Sequence, residues 1–193
     1  DRAIMRDPQF PEAYNNRGLY NQALGDYQSA MKDFSKAMEV QPHYVKACVN
    51  RAALYVKMGN YPKALEDLQS AIQWEPKSAG PYLNVCEVHN MLSHFEEAVS
   101  YCSEALERDP GNFLAYKNRG FSYNAMGRFR EALTDYTMAL AYNPRDHALY
   151  SFRGIAYKNK GEHEMAVKDF TRTIELNPAY TEAYIDRGVS YGA

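Results

Sequence analysis

No stretch of this chain approaches the roughly 18–20 consecutive apolar residues that a membrane helix requires, so insertion into a bilayer is not expected. A basic excess is equally absent: 22 lysines and arginines stand against 24 aspartates and glutamates, a formal net charge of −2. Without a positive field there is no electrostatic footprint for nucleic acid or an anionic membrane surface. Cysteine is scarce and odd in number (Cys48, Cys86, Cys102), so a disulfide framework is not expected, which points to a reducing, cytoplasmic compartment. The first six residues, Asp1 to Arg6, lack the basic-then-apolar layout of a secretory signal. Phosphate-cradling glycine loops, nucleophile elbows and zinc-ligand spacings are missing too, so no catalytic centre, cofactor or metal is expected.

What the chain does have is a period. Pro8, Pro42, Pro76, Pro110, Pro144 and Pro178 recur every 34 residues, each after an amphipathic stretch. Proline cannot donate the hydrogen bond that would continue a helix, so these positions mark helix ends. Tyr14, Tyr82, Tyr116, Tyr150 and Tyr184 keep the same period, with Cys48 in the second unit's slot. Gly18, Ala52, Cys86, Gly120, Gly154 and Gly188 form a column of small residues that lets two helices approach closely. Gly25, Gly59, Gly127 and Gly161, with Ser93 in the third unit, mark a turn between the helices. Each unit therefore reads as helix A, turn, helix B and a proline-terminated link. Helix A is expected from about the first tyrosine column, and helix B from near Tyr27, Tyr61, Phe95, Phe129 or His163. One hairpin cannot bury its apolar face alone, so neighbours must stack on it.

The pattern resembles the tetratricopeptide repeat; Tyr116, Gly120, Tyr123, Ala132, Tyr136, Ala139 and Pro144 fit its signature closely. The resemblance implies an all-α fold, a right-handed α-α superhelix of 34-residue helix-turn-helix repeats. It runs over essentially the whole chain, as repeats at 11–44, 45–78, 79–112, 113–146 and 147–180. Residues 1–8 read as the tail of a preceding repeat and 181–193 as the first helix of a sixth, so a fragment of a longer solenoid is expected.

One column departs from the family signature, which has leucine before the small residue. Here Arg17, Arg51, Arg119, Arg153 and Arg187 take that place, with Val85 in the third unit. Helix B carries Asp33, Asp67, Asp135 and Asp169 at a shared position, with Tyr101 in the third unit. The two charges occur together and vanish together. Pairing each arginine with the preceding unit's aspartate would orphan Asp67 and Arg119, and an orphaned buried charge is expensive. The expectation is therefore pairing within hairpins: Arg17–Asp33, Arg51–Asp67, Arg119–Asp135 and Arg153–Asp169.

In this family helix A lines the concave face. The resemblance then turns Asn16, Asn50, Asn84 and Asn118 into the groove, followed by Phe152 and Asp186 in the same column. A carboxamide both donates and accepts, so a regular ladder of them suits the backbone of an extended peptide. The ladder, within Asn-Arg-Gly triplets at 16–18 and 118–120, is similar to the asparagine array of O-linked N-acetylglucosamine transferase, a likeness confined to the binding scaffold. Leu19, Val49, Ala53, Leu83, Lys117, Phe121, Ile155 and Lys158 are expected on the same face, with Phe121, Phe152 and Ile155 as an apolar anchor patch. The family's two-carboxylate clamp for acidic chaperone tails is not completed in any window.

The third unit is the odd one, with Cys86, His89 and Cys102 near its helix crossing. A metal would need a fourth ligand from His94 on the turn, and small cysteines around a core histidine are the commoner arrangement. Lacking the charge pair, and with Gly80-Pro81 at its start, this unit is expected to be a softer joint. The functional expectation is a protein or peptide partner held by a scaffold. The alternatives are the substrate-recruiting region of a larger enzyme, such as a glycosyltransferase, and a scaffold that self-associates end to end.

Overall fold

The computed structural model describes residues 2–193, and the described elements are helices joined by short turns. In chain order they are α1 (Arg2–Arg6), α2 (Pro11–Ala23), α3 (Tyr27–Val40), α4 (Val45–Lys57), α5 (Tyr61–Trp74), α6 (Ala79–Met91) and α7 (Phe95–Arg108). There follow α8 (Phe113–Ala125), α9 (Phe129–Tyr142), α10 (His147–Lys160), α11 (His163–Leu176) and α12 (Thr181–Tyr191). This is the all-α architecture of consecutive helix-turn-helix repeats. The second helices begin at the residues the sequence names. The first helices begin about one turn earlier than the tyrosine column, and two of them, α8 and α10, start at a side-chain cap. Asn112 accepts from the Ala115 N–H, and Asp146 accepts from those of Ala148 and Leu149. No described helix is long and apolar enough to cross a membrane.

The tyrosine and proline columns meet. Tyr14, Tyr82, Tyr150 and Tyr184 each donate their hydroxyl to the carbonyl of the proline six residues earlier, at 3.2–3.3 Å. The bond ties the start of a first helix to the link before it. At the hairpin turns Gly25, Gly59, Gly127 and Gly161 have φ between +73° and +86°, open to glycine without steric cost. Ser93 takes the same place at φ +60°, where a Cβ costs roughly 1–2 kcal/mol.

Two compact units make up the chain, one ending at Val88 and one beginning at His89. In the first, Phe34 is fully buried with Ala30 and Leu54, while Tyr14, Ala37, Tyr44 and Ala47 form a second cluster. Burying one such phenylalanine stabilises by roughly 1.5–3 kcal/mol. In the second unit Ala132, Leu133, Tyr136 and Ala156 form one cluster, and Ala166, Phe170 and Ala183 another. Each cluster draws on more than one hairpin, which is how a repeat without a core of its own becomes stable.

The small-residue column is matched in size across each hairpin. A Cβ on Gly18 would lie 2.6 Å from Phe34 Cε1, on Gly120 3.0 Å from Tyr136 Cε1, and on Gly154 2.8 Å from Phe170 Cε1. Where the column holds Ala52, its counterpart is the smaller Leu68. The same two columns hold Cys86 and Cys102 in the third repeat. Here the expectation of unpaired cysteines is corrected: both are disulfide-bonded. An odd total says nothing about two particular columns, and the inferred reducing compartment loses its basis. Cys48 is free, buried, and donates its thiol to the Asp67 carbonyl at 3.0 Å. Burial pushes that thiol up to about 12.

Candidate functional site

Within each unit successive first helices touch one another: α2 meets α4, and α10 meets both α8 and α12. Polar side chains bridge these contacts. Asn50 Nδ2 donates to Asn15 Oδ1 at 2.8 Å between α2 and α4. In the second unit Ser122 Oγ donates to Asn90 Oδ1 at 2.6 Å, and Asn159 Nδ2 to Asn124 Oδ1 at 3.2 Å. Lys158 Nζ meets Asp186 Oδ1 at 2.5 Å between α10 and α12. First helices held this closely form one wall of their unit, and the candidate site is that wall.

The asparagine column divides by environment. Asn16 is exposed; Asn84 and Asn118 are half-buried. The side-chain amides of all three have no hydrogen-bond partner among the described residues, and none of them is sealed from solvent. Asn50 differs, because its amide nitrogen is already given to Asn15. At Asn118 the backbone carbonyl, rather than the side chain, accepts from Asn90 and Ser122.

Of the apolar positions, Leu19 is 41% and Phe121 42% exposed. Val49, Leu83 and Lys117 are half-buried, and Ala53 is exposed. The expected patch of Phe121, Phe152 and Ile155 is not left open as a whole. Phe152 stacks on Tyr136 at 6.0 Å between centroids, and Ile155 packs against the Ala166–Phe170–Ala183 cluster. A hydrophobic side chain that can reach the core goes there. Phe121 stays outside, edge-on to Phe95 at 6.3 Å.

The first unit also carries a cleft of about 460 Å³ lined by Phe10, Asn16, Arg17, Tyr20 and Asn21, together with Ala3, Ile4 and Ala13. Phe10 and Tyr20 are exposed there, at 43% and 64%. An amide and two exposed aromatic rings lining one cleft make a surface able to hold a peptide bond and an apolar side chain together.

Behind the wall stand the charge pairs. Arg17 donates through Nε and Nη2 to both carboxylate oxygens of Asp33, at 2.9 and 2.6 Å. The same fork joins Arg51 to Asp67 (2.8 and 2.7 Å), Arg119 to Asp135 (both 2.8 Å) and Arg153 to Asp169 (both 2.8 Å). The aspartates are nearly buried, and the hydrogen bond to Asp135 raises the Arg119 guanidinium above its ordinary value. These arginines also reach backwards. Arg51 Nη1 donates to Ser35 Oγ at 3.0 Å, Arg119 to Ser103 at 2.9 Å, and Arg153 and Arg187 to Thr137 and Thr171 at 3.3 Å. Arg51, Arg119 and Arg153 thus each join their own hairpin and staple it to the hairpin before. Sequence reasoning missed this second bond, although a signal existed: the hydroxyl column holds Gln69 where the next arginine is replaced by Val85.

In the third repeat His89 and Tyr101 stack nearly parallel, centroids 5.5 Å apart and 9° between planes. His94 lies 5.7 Å from His89. Burial lowers the His89 pKa, and its Nδ1 is buried without a partner. Among the described residues no three His, Cys, Asp or Glu side chains cluster to hold a metal ion.

Residues 22–84, 113–146 and 147–180 match family models described as Tetratricopeptide repeat, together more than half of the chain. Curated proteins include no match. Solved structures do: MamA is 23% identical with a TM-score of 0.75, covering 86% of this chain and 96% of its own. YrrB, described as a TPR protein with an unusual peptide-binding site, is 19% identical with a TM-score of 0.74, covering 97% and 96%. The APC/C hetero-tetramer Cut9-Hcn1 is 17% identical with a TM-score of 0.83, covering 97% of this chain and 38% of that one. At these identities the likeness carries the fold.

Proposed function

Since the chain belongs to the tetratricopeptide repeat family, we propose that it is a non-catalytic scaffold holding a peptide segment of a partner protein on the wall of its first helices. The observation that carries this reading is the cleft in the first unit, which Asn16 lines together with exposed Phe10 and Tyr20. An extended peptide offers one donor and one acceptor per residue, and a carboxamide answers both. Asn84 in the first unit and Asn118 in the second repeat that chemistry with unpartnered amides. The Asn-Arg-Gly triplets at 16–18 and 118–120 support a backbone-holding role of the kind the asparagine array implies. That YrrB is described with a peptide-binding site adds support from a protein of the same fold.

The test is selection of peptides from a random library on the immobilised chain, followed by calorimetry of the best binder. Asn16→Ala, Asn84→Ala and Asn118→Ala each remove a bond of about 0.5–1.5 kcal/mol, so each contacted position is expected to weaken binding by roughly two- to twelvefold. Affinity unmoved by all three substitutions together rules the amide mechanism out.

A further inference from the structure

Two imidazoles meet at the turn between α6 and α7, and the peptide-holding wall uses neither of them. His89 lies in the last turn of α6, and His94 is the residue that caps α7. The backbone fixes how far apart they stand: the His94 N–H donates to the His89 carbonyl at 2.9 Å, and the Ala98 N–H donates to the His94 carbonyl at 3.0 Å. Their ring centroids are 5.7 Å apart, with 39° between planes. Tyr101 stacks on His89 at 5.5 Å and 9°, which holds the orientation of that ring. Nδ1 of His89 is buried without a hydrogen-bond partner. The His94 ring, exposed at the turn, has no hydrogen-bond partner among the described residues either. A buried orphan nitrogen calls for an explanation, and a bound ion is one that suits an imidazole.

A neutral imidazole keeps one bare nitrogen, which is the commonest protein ligand for zinc and its neighbours in the first transition row. Such an ion lies about 2.0–2.1 Å from each nitrogen and hence about 3.2 Å from each ring centre, so two rings sharing it stand at most about 6.4 Å apart. The observed 5.7 Å falls inside that limit. We propose that His89 and His94 form a two-imidazole chelate for a zinc-like divalent cation, with water in the remaining positions. The cysteines of this repeat do not join it, because Cys86 and Cys102 are disulfide-bonded and offer no thiolate. The carboxylate of Glu97, whose charge acts on His89, favours a cation there. With no third protein ligand among the described residues, the site is open and weak. It braces the end of α6 against the start of α7, in the repeat that holds Val85 and Tyr101 in place of the arginine and the aspartate.

The test titrates zinc chloride, and separately nickel chloride, into the 193-residue chain at pH 7.5 without reductant, read by calorimetry. One ion per chain is expected to bind saturably below about 1 mM. His94→Ala changes an exposed side chain and is expected to weaken binding at least about tenfold, since losing even a group behind a metal ligand costs roughly 10–100-fold. His89→Phe, which keeps a ring against Tyr101, is expected to do the same. His43→Ala, whose ring lies on Trp74 in the first unit, is expected to change nothing. Zinc should raise the melting temperature of the unmodified chain and leave that of His94→Ala where it was. Absence of saturable binding up to about 1 mM of either metal overturns the proposal. So does binding that His94→Ala and His89→Phe leave unchanged, or a melting temperature that zinc raises equally in the unmodified chain and in His94→Ala.

Discussion

The hairpin α8–α9 and the repeat before it solve one packing problem with opposite chemistry. In α8–α9 Arg119 forks onto Asp135 and lies beside Tyr123, 6.0 Å from the ring centroid. In the preceding repeat the aspartate column holds Tyr101, the tyrosine column holds His89, and the two rings stack flat. A directional charged bond is exchanged for a neutral aromatic contact, and the flanking columns change with it. The difference teaches that a hairpin forms without the charge pair where an aromatic stack and disulfide-bonded cysteines take its place. In each of the five hairpins the pair is either whole or wholly replaced.

The largest expected effect comes from leaving half of a pair. Arg119→Leu leaves Asp135, with 4% of its side chain exposed, without its partner. The expected loss is about 3 kcal/mol in urea denaturation, near the lower end for a broken buried pair because Arg119 is itself 20% exposed. Adding Asp135→Leu is expected to recover most of it, turning the hairpin towards its neutral neighbour's solution. A double variant as unstable as the single one breaks the comparison.

Smaller effects sharpen the role of the glycine column. Gly18→Ala drives a Cβ to within 2.6 Å of the buried Phe34 ring and is expected to cost about 1–3 kcal/mol by overpacking. Gly188→Ala meets open space and is expected to stabilise by up to about 1 kcal/mol through helix propensity. Thermal melts of the two variants should therefore move in opposite directions.

The smallest effect is a pH dependence confined to the third repeat. Burial holds the His89 pKa below its ordinary 6.5, with His94 lowering it further and Glu97 opposing. The unfolded chain takes up a proton below about pH 6.5 that folded His89 resists. Stability tied to this histidine is thus present above pH 6.5 and declines as pH falls from there towards the folded pKa. Amide exchange in α7 is expected to accelerate relative to α9 between pH 7.5 and 5.5, and His89→Phe should remove the difference.

Much of this was readable in order of residues. The 34-residue period, the hairpin turns and the starts of the second helices depend on local rules of capping, glycine and proline, acting within a few residues. The arginine–aspartate partners were readable as well, because two columns that appear and vanish together leave one assignment without orphans. The same logic applied to Ser35, Gln69, Ser103, Thr137 and Thr171 contained the backward staple, and the matched sizes of Gly18 with Phe34 and Ala52 with Leu68 were open to it.

What tertiary structure alone decided is where equivalent side chains turn. Asn16 and Asn50 share a column, yet one faces solvent and the other is bonded to Asn15. Phe121 and Phe152 both read as groove aromatics, yet one stays exposed while the other lies on Tyr136. A repeat dictates backbone position through contacts at constant sequence offset. The direction of a side chain depends on the particular neighbour that the next helix brings within reach, and in this chain those neighbours differ from repeat to repeat.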